Sequence, residues 1–324
     1  MEKILELYRR APGNLSLADT DASLYIKQIL RSCVPDARID ALIGMNPMHS
    51  VLLCGEAGTG KQTMADAVAY ELQAVRENLL YVSISLWLCM GEKEIDFCEN
   101  IRRLFEEIAK EAMRRPVLVF MEDLEAAGQN PAAACVIYQC IQSMMENRVS
   151  CTIICAAQDE TQVPKQLEKV FMTCRMEKPD TLARTNYFKR TLAGEDICEL
   201  YLTADVMAQM TYGFSYSQLK LCIQTVLMGL KQEMLSGNTK ALVTKKMFEY
   251  NVEQMRKAGL KKNASKTEDA GIPVEKTASS TQSYTLKTEG ENIQLMKPAD
   301  NEAEDKHQKS YLEMFEELED LDDF

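Results

Sequence analysis

A short apolar run, a glycine-rich turn and a helical pattern follow one another near the beginning of this chain and strongly constrain its fold. The run covers 50–54 and has the profile of a buried strand, and the helical pattern covers 64–72. The turn reads Gly55-Glu56-Ala57-Gly58-Thr59-Gly60-Lys61, which fits the pattern G-x-x-x-x-G-K. Glycines let backbone N–H groups turn inward, and a helix N-terminus adds partial positive charge. The sequence therefore predicts a polyphosphate-binding loop in which Lys61 neutralises the β and γ oxygens.

The residue after Lys61 departs from this pattern. Ser or Thr normally stands there and its hydroxyl ligates Mg²⁺, whereas this chain has Gln62. The Gln62 amide oxygen is a candidate metal ligand, although the side chain is longer and bulkier than a hydroxyl. Thr63 completes the expected nucleotide-binding segment, but one residue along a helix is about 100° of rotation, so Thr63 does not replace the missing hydroxyl. We expect nucleotide binding to tolerate this change better than accurate Mg²⁺ placement does.

Two acidic residues follow another apolar run. Residues 117–121 lead directly into Glu122 and Asp123. At the end of a central strand, the first acid is expected to hold Mg²⁺ through water and the second to activate the attacking water. The simpler alternative is a strand that leaves the core. The order is the reverse of the usual Asp-Glu, and a displacement of about 1 Å can cost about a hundredfold in rate, so we expect slow hydrolysis.

The remaining periodicity predicts an α/β fold. Further strands are expected at 79–86 and 151–155, and helices at 101–113 and 132–145. Alternating strands and helices indicate a parallel sheet with helices on both faces. After Asp180 only helical patterns recur, which predicts a small helical domain. The expected domains are a helical N-terminal segment (1–33), a nucleotide-binding domain (34–180), a helical lid (181–260), a disordered linker (261–310) and an acidic tail (311–324).

The composition of the chain limits the classes of function that we expect for it. The eleven cysteines are scattered and only two histidines exist, which predicts reduced, mostly buried thiols in a cytoplasmic protein. No apolar run is long enough for a membrane helix, and the first residues do not form a signal peptide. The net charge is −12, and residues 262–324 carry −9 of it. Nucleic acid is therefore an unlikely partner, because its backbone favours basic patches.

The tail from Tyr311 to Phe324 has an unusual composition. It holds seven acids and no base, and large hydrophobic residues recur every three residues through Leu312, Phe315 and Leu318. Solubilising tails are poor in large hydrophobic residues. We expect a tethered recognition peptide that docks in a groove with a basic rim, on another protein or on a neighbouring subunit. A solvated acidic tail is the alternative.

Several motifs in order resemble those of the AAA ATPases, in particular the branch with katanin, spastin and the ESCRT-disassembling ATPases. They are the phosphate loop at 55–61, the G-E and I-R-x-L-F-E motifs at 91–106, the acidic strand at 115–126, the strand at 153–158 and the lid motif at 211–219. The resemblance runs from about Leu17 to Ala258. It implies an ATP- and Mg²⁺-binding domain with a helical lid, assembly into a homo-oligomeric ring and remodelling of a protein partner.

The chain departs from this family at several positions that the resemblance marks as functional. Gln158 stands at the sensor-one Asn, and in the arginine-finger region Lys169 is the only candidate cation. Tyr216 replaces a glycine of the lid motif and is expected to crowd or stack on the adenine. Trp87 is either a pore-loop residue or a core or interface residue.

These departures together predict a weak or partner-dependent ATPase that couples nucleotide state to remodelling of a protein complex. The expected catalytic residues are Glu122, Asp123 and Gln158, and the expected metal ligands are Gln62 and Glu122. The alternative is a non-hydrolysing, nucleotide-dependent scaffold that recruits a partner through its acidic tail. A loader or initiator that acts on DNA is a weaker third hypothesis, because no stripe of basic residues is visible in the sequence.

Overall fold

The structure is a computed structural model of the chain and describes residues 4–33, 37–46, 48–76, 78–90, 94–192, 197–238 and 240–269. Its helices are α1 (Ile4–Leu7), α2 (Leu24–Ser32), α3 (Ala37–Ile43), α4 (Lys61–Val75), α5 (Glu94–Ala112), α6 (Pro131–Glu146), α7 (Thr181–Thr191), α8 (Ala204–Met210), α9 (Tyr216–Leu235) and α10 (Lys245–Asp269). Its strands are β1 (His49–Cys54), β2 (Leu80–Ser85), β3 (Val117–Glu122), β4 (Cys151–Ala157) and β5 (Met172–Arg175).

The five strands form one parallel sheet in the order β2-β3-β4-β1-β5. β1 therefore lies inside the sheet, between β4 and β5, and its carboxyl end opens into the glycine-rich turn. β3 also lies inside the sheet, so its acidic end and the turn lie at the same edge of the sheet, because all the strands run in one direction. The predicted α/β class, with a parallel sheet and helices on both faces, is confirmed.

Alternation along the strands builds a core on each face of the sheet. On β3, Val117, Val119 and Met121 belong to one core, and Leu118 and Phe120 belong to the other. Helices α5 and α6 pack on the first face, and α2 and α4 pack on the second. β4 is buried along its whole length, since a central parallel strand is covered on both sides.

Two parts of the sheet region differ from the sequence-based expectation. β5 is not among the four predicted strands, because it is only four residues long and two of them are exposed. The segment 1–33 was expected to hold two helical pieces joined by a turn at 12–14, whereas α1 has only four residues and a longer stretch with one short 3-10 turn at Leu17–Asp19 separates it from α2. Within that stretch, Arg9 bridges to Val82 in antiparallel fashion, so the chain runs along the outer edge of β2.

The helices after Asp180 form the expected helical region, which we call the lid. α7 packs on α8, and α10 packs on α9. α10 continues to Asp269 and so includes 261–269, which the composition places in a linker. The G-E motif at 91–93, the rest of the linker and the tail lie outside the described residues.

The composition predicts reduced, mostly buried thiols, and the structure describes all eleven cysteines. All eleven cysteines are free thiols, and seven of them are buried. Cys135, however, is exposed. In the part of the chain that the structure describes, none of the helices combines the length and the apolar character needed to cross a membrane.

Candidate functional site

The glycine-rich turn connects the end of β1 to the beginning of α4, as the sequence predicts. Gly58 has φ 76° and Gly60 has φ 93°, which is the left-handed region that favours glycine. The Gly55 N–H donates to the Ala157 carbonyl of β4 at 3.1 Å. α4 begins at Lys61, so the N-terminal amides of a long helix face the cavity above the turn.

Lys61 is folded back onto the loop. Its Nζ donates to the carbonyl oxygen of Gly55 at 2.6 Å and to that of Glu56 at 3.0 Å. Burial lowers the pKa of Lys61, and nearby carboxylates oppose this shift, with Glu125 ahead of Glu122. A polyphosphate would therefore meet a desolvated ammonium group at the N-terminus of α4.

The two acids at the end of β3 differ in their surroundings. Burial, followed by the charge of Asp123, raises the pKa of Glu122, while Arg10 and Lys61 oppose the shift. The Asp123 carboxylate accepts a hydrogen bond from the Ser85 hydroxyl at 2.6 Å. Asp123 also has φ 60°, a left-handed conformation that Asp tolerates better than most residues. Its backbone and its hydrogen bond together hold the carboxylate toward β2.

Glu125 is a site residue that sequence reasoning missed. Its carboxylate accepts hydrogen bonds from the backbone amides of Gln158 and Asp159, the latter at 3.3 Å. It joins the end of β3 to the end of β4 and lines the same cavity as Lys61. The signal available in the sequence was a third acid shortly after Glu122 and Asp123.

A cavity of about 450 Å³ lies above the turn. Ten of the residues predicted for the site line it, namely Ala57, Gly58, Gly60, Lys61, Gln62, Thr63, Glu122, Asp123, Gln158 and Tyr216. The structure adds Glu125, Tyr187 and Lys220 to this set. We call it the phosphate cavity, because the loop amides, the Lys61 ammonium and the acidic strand end all meet there.

A second cavity of about 590 Å³ adjoins the first, and we call it the side cavity. Its apolar lining includes Ile26, Met64 and Met176. The two cavities share the residues Gly60, Thr63, Tyr187 and Tyr216. A ligand with a flat apolar part and a polyanionic part could occupy both.

Tyr216 stands where the two cavities meet. A methyl group on Gly60 would lie 3.6 Å from Cδ2 of the Tyr216 ring. The ring centroids of Tyr216 and Tyr187 are 5.8 Å apart. Burial, followed by the charge of Asp21, raises the pKa of Tyr216. The ring therefore forms a wall between the cavities in this conformation.

Three residues of the predicted segment support the loop instead of lining the phosphate cavity. A Cβ on Gly55 would lie 2.2 Å from the Met176 carbonyl oxygen, so only glycine fits there. The Glu56 carboxylate pairs with Lys178 at 2.6 Å. The Thr59 hydroxyl donates to the Glu56 carbonyl at 2.9 Å, and Thr59 lines the side cavity.

Two further candidates lie on the surface. Lys169 ends a short turn at Leu167–Lys169 and is exposed, without lining either cavity. Trp87 lies in the turn after β2 and is 42 % exposed, which is inconsistent with a core position. The interface and pore-loop roles of Trp87 stay predictions.

Gln62 lies beside Arg10. Only one orientation of its amide satisfies the neighbouring donors, and in that orientation its oxygen accepts hydrogen bonds from Nη2 of Arg10 at 2.9 Å and from Nη1. Among the described residues, no three His, Cys, Asp or Glu side chains are grouped to hold a metal ion by themselves. The role of Gln62 as a metal ligand stays a prediction, and the oxygen needed for it is engaged by a guanidinium group.

Comparisons with known proteins agree with this geometry. Residues 51–179 match the model of the family described as "ATPase family associated with various cellular activities (AAA)". The ATPase family gene 2 protein homolog B of Bos taurus is 33% identical over 107 residues, which are 33% of this chain and 13% of the relative. The Cell division cycle protein 48 homolog of Archaeoglobus fulgidus is 24% identical over 254 residues, 69% of this chain and 32% of the relative.

A solved structure shares the fold. A chain described under "Structural Basis for Katanin Self-Assembly" superposes with a TM-score of 0.57 at 19% identity, covering 74% of this chain and 85% of that chain. The chain spans about a third or less of the two curated relatives named above. Residues 51–179, which contain the phosphate loop and the acidic strand end, are therefore similar to the AAA family.

Proposed function

We propose that this chain binds an adenine nucleotide across the two cavities and hydrolyses ATP slowly, with the nucleotide state controlling the contact between the lid and the phosphate loop. The observation that carries the proposal is the meeting of Lys61, Glu122 and Glu125 in the phosphate cavity, at the N-terminus of α4. Amides and an ammonium group suit a polyphosphate, and the similarity of residues 51–179 to the AAA family supports nucleotide binding.

The side cavity supports a purine as the other end of the ligand. Its walls combine apolar side chains such as Ile26 and Met64 with residues of the 175–180 segment, and ligand sites of this kind are mostly apolar with a few polar groups. Mg²⁺ would enter with the nucleotide, since the phosphates and water supply most of its ligands, and Glu122 offers a carboxylate at the edge of the sheet.

Slow turnover follows from the groups around the reacting phosphate. Asp123, in the position of the general base, accepts a hydrogen bond from the Ser85 hydroxyl, so one of its two carboxylate oxygens is already engaged. The Gln158 backbone amide donates a hydrogen bond to the Glu125 carboxylate. The Gln158 side chain stands where the resemblance expects an Asn. Lys169 lacks a guanidinium fork.

Assembly into a ring, remodelling of a partner and recruitment through the tail belong to this proposal, as does a cytoplasmic location, which free thiols favour.

Steady-state phosphate release tests the catalytic part of the proposal. The double exchange Glu122→Asp with Asp123→Glu restores the usual acid order, and we expect it to raise a slow wild-type rate. Wild type that already hydrolyses several ATP per second would contradict slow turnover. No release from either protein would favour the scaffold, in which ATP acts only as a ligand.

Thermal melting tests nucleotide binding on its own. ATP should raise the melting temperature of the full chain, since a ligand that binds only the folded state stabilises it. Lys61→Ala should remove this shift, whereas Lys246→Ala, an exposed lysine of α10, should keep it. An equal shift in wild type and Lys61→Ala would exclude the phosphate loop as the binding site.

A further inference from the structure

The chain before α2 places a cation beside the phosphate cavity. The Ser83 N–H donates to the Tyr8 carbonyl at 3.1 Å, and the Arg10 N–H donates to the Tyr81 carbonyl at 2.9 Å. With the antiparallel bridge between Arg9 and Val82, these bonds attach residues 8–10 to the outer edge of β2. The backbone of Arg10 is therefore held in position by the sheet itself.

The Arg10 side chain is held on the first turns of α4. Its Nε lies 3.3 Å from Oδ1 of Asp66, and its Nη2 donates to Oδ2 at 3.4 Å. Asp66 also accepts from the Tyr81 hydroxyl at 2.8 Å, which fixes the carboxylate between two donors. The other side of the guanidinium meets the oxygen of Gln62, one helical turn before Asp66. The planar fork of Arg suits such a double attachment.

This cation contacts Gln62, the residue at the position where the resemblance places a metal ligand. Gln62 lines the phosphate cavity and follows Lys61 directly. Arg10 is 42 % exposed and does not line the phosphate cavity itself, so its charge would act on a bound anion across Gln62. A fixed positive charge disfavours a second cation nearby and favours an anion.

We propose that Arg10 supplies, within the same chain, positive charge that Mg²⁺ normally brings to a bound polyphosphate, so that nucleotide binding does not depend on Mg²⁺. This inference rests on the proposed nucleotide site. Arg10 acts as a positioning residue, which orients Gln62 and stabilises the anion across it. Hydrolysis can still use the metal, since the inference concerns only the association step.

Calorimetry on the full chain tests this inference, with ADP or ATP titrated in Mg²⁺ and again in EDTA. Wild type should bind with dissociation constants that agree within about threefold in the two buffers. Arg10→Ala should lose about tenfold in affinity in EDTA and much less in Mg²⁺, because the metal then replaces the missing charge. Arg10→Lys, which keeps the charge but not the fork, should recover part of the affinity in EDTA.

Arg9→Ala is the matched control. Arg9 lies on the same edge segment, and its side chain pairs with Glu6 at 3.5 Å. This variant should bind like wild type in both buffers, which separates the charge of Arg10 from damage to the segment. Wild type that binds only with Mg²⁺ would overturn the role of Arg10 while leaving the proposed function intact. Wild type that binds in neither buffer would overturn the proposed function itself.

Discussion

The backbone amide of Tyr216 donates to the carbonyl oxygen of Gly58 at 2.9 Å, so the first turn of α9 rests directly on the phosphate loop. The next amide, that of Ser217, points at the same oxygen at 3.4 Å. The first N–H groups of a helix have no partner within the helix, and here the loop supplies one. Hydrogen bonds from the first turn of α9 therefore join the lid directly to the phosphate loop.

Gly58→Ala should separate the lid from the loop. A Cβ there would lie 2.6 Å from Oγ of Ser217 and 2.7 Å from Oγ of Ser215, in addition to the strain of a positive φ. We expect a loss of about 2–3 kcal/mol in the free energy of unfolding and faster proteolysis of the lid. Gly44→Ala is the control, since Gly44 has φ 74° with nothing within 4 Å of a new Cβ. Equal losses in both variants would show that the contact with α9 contributes nothing.

Asp21→Asn should loosen the lid from the other side. The Asp21 carboxylate accepts hydrogen bonds from Arg190 and, at 3.4 Å, from Asn186, both on α7. Its side chain is only 8% exposed, whereas Arg190 is 39% exposed. We expect denaturant unfolding to show a loss of about 1–2 kcal/mol, because a charged hydrogen bond is weakened without leaving a fully buried charge. Asp19→Asn, whose carboxylate accepts from Ser16, should change stability far less.

Glu122→Gln should stabilise the fold in a pH-dependent way. Burial and Asp123 raise the pKa of Glu122 above its ordinary value of 4.5, so the folded protein disfavours the ionised carboxylate. This destabilisation is complete above the raised pKa, shrinks as the pH falls toward the ordinary value, and disappears below it. The variant should therefore melt higher than wild type at about pH 7 and equally at about pH 4.

Glu253→Gln is the control for the Glu122→Gln variant. Glu253→Gln removes an exposed carboxylate from α10 and should leave the melting temperature unchanged at both pH values. A Glu122→Gln protein that melts lower than wild type at neutral pH would mean that ionised Glu122 stabilises the site through its cations.

Tyr216→Gly should open the passage between the two cavities. The ring lines both of them and forms a wall over Gly60, so only conformations in which it moves aside accept a ligand that spans them. Removing the ring should tighten nucleotide binding by about threefold to tenfold, as expected when a binding-competent state becomes fully populated. Tyr216→Phe keeps the ring and should bind like wild type. Weaker binding by the glycine variant would indicate that Tyr216 stacks on the base.

Local patterns carried most of the sequence-based prediction. The phosphate loop, four of the strands and the acids of β3 are each specified within a few consecutive residues, and the structure brings the loop and Glu122 to one cavity. Contacts between residues that are far apart along the chain could not be predicted from the sequence. Arg10 meets Asp66 across 56 positions, and Arg190 meets Asp21 across 169. No periodicity signals such pairs, because each member looks like an ordinary surface charge in its own stretch.

The segment 8–10 has a second effect at the outer edge of β2. A bare edge strand exposes unpaired N–H and C=O groups, which recruit strands from other chains. Tyr8 and Arg10 pair with that edge, and the opposite edge strand, β5, is only four residues long. In the described part of the chain, neither border of the sheet offers a long free template for β-augmentation or amyloid-like stacking. The pairing of residues 8–10 with β2 therefore protects this border of the sheet from the addition of a strand from another chain.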